Sequence, residues 1–124
     1  MDADDRHHRA SLALLASHPG PLVVPTLVVA EAAYLIGTRL GTDAEVRFLG
    51  DLAAGAFAVE LVGPADWLRI AELTSRYRDL PLGTVDASVV ATAERLGITE
   101  LATVDRRHFA VVRPRHVQAF TLLP

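Results

Sequence analysis

LGTVDASVVATAERLGITELATVDRRHF, residues 82–109, is the stretch whose reading decides the fold. Thr84 can cap a helix running from Val85 to Leu96, and Gly97 stops it where a left-handed residue is wanted. Ile98 to Val104 then reads as a short buried strand, closed by Asp105. Two carboxylates hold unusual places. Asp86 lies in the first helical turn, and Val89, Val90 and Ala93 share its face at i+3, i+4 and i+7. A carboxylate on an apolar face is costly unless something pairs with it. Singly, each acid has a plain reading. The helix dipole favours a first-turn acid, and aspartate is common in the turn after a strand. A functional reading gains weight only with a third acid.

That third acid lies upstream. Thr26 can cap a helix from Leu27 to Leu40, stopped by Gly41. The helix is apolar almost all round, which predicts burial. Glu31 sits inside it, with Leu27, Val28, Tyr34 and Leu35 as helical neighbours. A lone acid there either reaches water, pairs with an arginine, or serves chemistry.

The rest of the chain fills in around these elements. Arg6 to Ser17 reads as a helix, and His18-Pro19-Gly20-Pro21 breaks it. Leu22 to Val24 is a minimal buried strand. Thr42 and Glu45 have capping-box spacing and open a helix through Ala54. Phe57 to Val62 reads as a strand. Pro64 starts a helix whose apolar face is Trp67, Leu68, Ile70, Ala71 and Leu73, with Arg69, Arg76 and Arg78 lying mostly elsewhere. After Asp105, Arg106 to Phe109 reads as a helical turn, and Val117 to Leu123 as a last strand. Strands alternating with helices predict an α/β fold with a mainly parallel sheet covered on both faces.

Composition narrows the function. At 124 residues and 51% hydrophobic the chain suits one domain, residues 1–124, with a real core. A net charge of −3 excludes a generic polyanion binder. The absence of cysteine excludes disulfides and thiolate metal sites, and fits a cytoplasmic setting. The longest apolar run, Leu22 to Ile36, contains Pro25 and Glu31 and is too short to span a membrane.

Glu31 and Asp86 lie near helix starts and Asp105 at a strand's carboxyl end, where α/β folds gather their ligands. Three carboxylates brought there would repel one another, and a divalent cation resolves this. Oxygen ligands without cysteine or paired histidine select Mg²⁺, or Mn²⁺, over Zn²⁺. Such a site suits phosphodiester hydrolysis.

The helix VVPTLVVAEAAYLI with Glu31, the block LGTVDASVVATAERLG with Asp86, and ATVDRRHF with Asp105 together resemble PIN-domain proteins. The similarity is strongest to the VapC toxins of bacterial VapBC toxin–antitoxin pairs, and it covers nearly the whole chain in order. It implies a three-layer α/β/α fold. It implies a Mg²⁺- or Mn²⁺-dependent endoribonuclease, a VapB-like antitoxin that inhibits it, and a homodimer. It places Glu31, Asp86 and Asp105 at three of the family's acidic, metal-holding positions. The family also opens with a central strand carrying a first aspartate, in a pattern like V-D-T-S-A-L-L-A, and this chain starts after that point, at Met1-Asp2-Ala3-Asp4-Asp5. Asp2, Asp4 and Asp5 match the loop that follows that strand, not the catalytic position. Two explanations compete: a start assigned at an internal methionine, or a shortened relative. Removing a central strand would leave unpaired backbone groups and an open cleft, which favours the first. The alternative function is a catalytically inactive module that binds an antitoxin or dimerises. A weaker one is a DNA-directed nuclease or a phosphatase on a similar scaffold.

Other residues carry less. His7, His8, His18, His108 and His116 lack metal-ligand spacing and read as solvated surface. Arg106 and Arg107 could contact RNA phosphates or form a solvated turn. Thr84 could reach the metal site with its hydroxyl, although helix capping accounts for it. Trp67 and Tyr34 sit at helical core spacing and read as packing rather than base stacking.

Overall fold

The helix predicted from Val85 is the most deeply buried of the described helices. It runs Thr84–Leu96, and every residue from Asp86 to Ala93 is buried. Small side chains make this possible, because Ala87, Ala91 and Ala93 let neighbours approach on several sides. Gly97 ends it in the left-handed conformation, φ 70°, as the sequence predicts. The computed structural model describes residues 13–17, 20–80, 82–103 and 106–123.

In chain order the described elements are β1 (Ala13–Leu15), β2 (Val23–Pro25), α1 (Thr26–Leu40), α2 (Thr42–Ala53), β3 (Ala58–Glu60), α3 (Pro64–Arg76), α4 (Thr84–Leu96), β4 (Glu100–Thr103), α5 (Arg106–Val111) and β5 (Thr121–Leu123). They form an α/β fold around one five-stranded sheet, ordered β3-β2-β1-β4-β5. β2 pairs with β3, and β4 with β5, in parallel. β1 runs antiparallel to both its neighbours, β2 and β4. The other four strands therefore share one direction, and the sheet is mainly parallel. The core joins α4 to the sheet and to α3 and α5 through Leu15, Val24, Leu73, Val90, Leu101, Phe109 and Val112. An apolar cavity of about 220 Å³ lies between sheet and helices, lined by Leu14, Val24, Val28, Ala32, Phe48 and Phe57.

Several expectations need correction. The helix expected through Ser17 gives way, within the described residues, to strand β1. An unbroken apolar run fits a buried helix or a central strand equally, so periodicity does not separate them. The same segment, Ala13–Leu15, stands in the middle of the sheet, with Ala13 opposite Thr103 and Leu15 opposite Leu101 on one side and Val23 on the other. Strands predicted at Phe57–Val62 and Val117–Leu123 are trimmed to β3 and β5, and the one predicted from Ile98 begins at Glu100 as β4, its expected last residue, Val104, lying outside the described residues.

None of the three threonines caps its helix. Thr26, Thr42 and Thr84 are first helical residues behind the N-caps Pro25, Gly41 and Gly83. Thr26 instead donates its hydroxyl to the Glu60 carbonyl at 2.9 Å, tying α1 to the end of β3. Glu45 packs its carboxylate against Gly37 of α1, where a β-carbon would stand. α1 is less buried than its composition predicts, with only Val28 and Leu35 fully inside. Trp67, Leu68 and Tyr34 are exposed rather than packed. The inward face of α3 is Asp66, Arg69, Ile70 and Leu73, so Arg69 lies inside, contrary to expectation.

Candidate active site

Direction alone brings the first two acids to one edge of the sheet. β2 and β4 run the same way, so their carboxyl ends share an edge. α1 begins directly after β2 and carries Glu31 on its second turn. α4 returns into β4 through Gly97–Thr99, so its first turn lies toward the carboxyl end of β4. Asp86 is in that turn. It is only 4% exposed, which agrees with its place on the apolar face. Glu31 is half-buried. Asp105 lies outside the described residues, as do the side chains of Arg106 and Arg107. Among the described residues, no three acidic or histidine side chains converge on a point that could hold an ion.

One contact is new. His108, on α5, places Nδ1 3.1 Å from Asp86 Oδ2. The ring is half-buried, so the solvated reading fails for this histidine. It fails for His116 as well, whose Nε2 meets the Ile98 carbonyl and whose ring packs edge-on against Phe120. His7, His8 and His18 lie outside the described residues.

At the far end of α4 a second acid, half-buried with its side chain 8% exposed, is held quite differently. Glu94 accepts two hydrogen bonds from Arg69, Nε to Oε1 and Nη2 to Oε2, both at 2.8 Å. The Arg115 backbone N–H donates a third, also at 2.8 Å. Burial pushes the Glu94 carboxyl upward, but these donors outweigh it and hold the group below the usual carboxylate range. Arg69 is raised in turn by its bond to Glu94. Beside it, Arg95 reaches Glu60 at 2.8 Å and Asp66 at 3.1 Å, and both raise it further. Asp66 also accepts the Gly63 backbone N–H, which fixes the start of α3. Sequence reasoning missed this seam between α3 and α4. A signal existed, because Asp66, Arg69, Ile70 and Leu73 follow the i, i+3, i+4, i+7 rule.

The PIN domain profile matches residues 1–113 of the chain. Ribonuclease VapC26 of Mycobacterium tuberculosis (strain ATCC 25618 / H37Rv) is 38% identical over 124 residues, the whole of this chain and 92% of that protein. The chain is a PIN domain of the VapC type. Its mainly parallel sheet and covering helices are the PIN-like α/β/α arrangement that the sequence blocks imply. Within this PIN domain, Asp86 and Glu31 stand on α4 and α1 as those blocks predict. Among the described residues, no helix is long and apolar enough to cross a membrane.

Proposed function

We propose that this protein is a Mg²⁺-dependent endoribonuclease, the toxin of a toxin–antitoxin pair, with Mn²⁺ able to replace Mg²⁺. The observation that carries the reading is a carboxylate, Asp86, buried at 4% exposure in the first turn of the core helix of a VapC-type PIN domain. Burial in that turn, with His108 Nδ1 3.1 Å from Oδ2, holds an oxygen donor of the kind a divalent cation prefers. The named activity of the Mycobacterium tuberculosis relative, a ribonuclease, supports the substrate class.

The donors fit the group. Carboxylate oxygens suit a hard divalent cation, and Asp86, Glu31 and Asp105 would hold it. When bound, the cation lowers the pKa of an attacking water and offsets charge developing at phosphorus. The carboxylates would also orient that water, and one of them would accept its proton. Arg106 and Arg107 would meet backbone phosphates, which position RNA without reading its sequence, and the Thr84 hydroxyl would help at the mouth of the site. The partners are a VapB-like antitoxin and a second copy of the chain, with residues 1–124 acting as a single domain in the cytoplasm.

The test is cleavage of total RNA by this chain with Mg²⁺ or Mn²⁺, beside Asp86→Asn, Glu31→Gln and Asp105→Asn. Metal-dependent cleavage that all three substitutions abolish is the expected result. Binding of an antitoxin without cleavage would overturn the reading in favour of an inactive module. Equal cleavage by the Asp86→Asn variant would remove Asp86 from the site.

A further inference from the structure

We infer that His108 is a positioning residue for Asp86, a role that rests on the metal-dependent reading above. Its Nδ1 lies 3.1 Å from Asp86 Oδ2, with the two side chains 15% and 6% exposed. An ionised carboxylate only accepts, so the ring nitrogen facing it carries the proton and donates.

Donor and acceptor stand on separate elements, and each element is pinned. α4 is enclosed from Asp86 to Ala93. α5 is anchored by Phe109, which with Val112 just beyond its end is fully buried, and the Val112 N–H donates to the His108 carbonyl at 3.1 Å. The terminal torsion of an aspartate is otherwise broad. A hydrogen bond from a fixed ring to one oxygen sets the plane of the carboxylate, and so the direction in which it can meet a cation. Outer partners of ligating groups act in this way, and losing one typically costs about 10–100-fold in metal affinity. A merely structural link between α4 and α5 would instead affect stability and leave affinity alone.

The two roles separate in Mn²⁺ titrations, by calorimetry or electron paramagnetic resonance, of the full chain and of its His108→Asn, His108→Leu and Asp86→Asn variants. Thermal unfolding without metal is followed in parallel. Asparagine places an amide N–H near the position of Nδ1, whereas leucine fills similar space with no donor. His108→Leu should weaken Mn²⁺ binding about 10–100-fold, while His108→Asn stays within about threefold of the parent. Should the leucine variant fail to fold, His108→Gln replaces it, because its longer amide puts the donor nearer the position of Nε2. Parent-like binding by the donor-less variant would overturn the inference, and so would equal weakening by asparagine. A parent chain that binds no Mn²⁺, or an Asp86→Asn variant that binds it equally well, would overturn the metal reading first and the positioning role with it.

Discussion

Asp86 and Glu94 stand at opposite ends of one helix, α4, with side chains 6% and 8% exposed, and their described partners differ in kind. Glu94 meets a guanidinium in a two-pronged bond and a backbone N–H besides. Its charge is answered by a permanent cation on the neighbouring helix. Asp86 Oδ2 meets an imidazole, which orients a carboxylate without offering a fixed charge. Burial is therefore a poor guide to function by itself. The described contacts separate the two acids by partner, a guanidinium for Glu94 and an imidazole for Asp86. Glu94 joins α3 to α4, and Asp86 stands in the first turn of α4, toward the carboxyl end of β4.

The comparison is most easily broken by exchanging readouts. Asp86→Asn should lower metal-dependent RNA cleavage by more than about 100-fold, the upper end of what loss of an outer partner alone costs. It should unfold within a few degrees of the parent. Glu94→Gln should do the reverse. It leaves the Arg69 guanidinium, 8% exposed, facing the exposed Glu72 carboxylate at 3.9 Å in place of its close two-pronged partner. Breaking a buried pair from one side costs about 3–5 kcal/mol, read by urea denaturation, while the residual folded fraction cleaves at the parent rate. Replacing both partners at once, Arg69→Met with Glu94→Leu, should recover most of that loss, since an apolar pair of similar volume leaves no stranded charge. Equal loss of cleavage in Asp86→Asn and Glu94→Gln, at equal folded fraction, would erase the distinction.

A smaller effect sharpens it through pH. The carboxyl of Glu94 is held below its ordinary value in the folded chain. The unfolded chain therefore binds that proton more readily. The stabilisation is complete above the ordinary glutamate value and is lost as pH falls through the depressed one. Urea midpoints measured from neutral pH downward should fall across that window in the parent. In Glu94→Gln that component of the fall should be absent.

The helix that carries both acids is legible in the sequence. Its apolar period, its glycine stop and the place of Asp86 all agree with the sequence pattern, because a long periodic helix leaves few alternatives. β1 was not legible, since Ala13-Leu14-Leu15 satisfies a buried helix and a central strand alike. The threonine caps were misplaced by one residue each, because Gly41 and Gly83 can themselves serve as N-caps. Arg69 lies inward, against the expectation that it stands off the apolar face, and its spacing from Ile70 and Leu73 is the signal for that. The His108 contact was out of reach for another reason. It joins two helices through a strand and a turn, and no periodic rule connects positions 86 and 108.

Arg115 gives the smallest effect and the finest cut. It touches this network twice, by side chain and by backbone. Its guanidinium reaches Glu72 at 3.2 Å, with the two side chains 63% and 57% exposed. Exposed pairs contribute about 0–1 kcal/mol, so Arg115→Ala should move the urea midpoint barely at all and leave the Glu94 pH response in place. Its backbone N–H is the donor to Glu94. Arg115→Pro removes that donor and leaves a buried carboxylate one hydrogen bond short, a loss of about 1–3 kcal/mol. The proline variant should also show a weaker fall in stability at low pH, because one of the bonds that depress the Glu94 carboxyl is gone. If alanine cost as much as proline, the exposed guanidinium would be the stabilising contact, and Glu94 would owe less to its buried donors than the geometry implies.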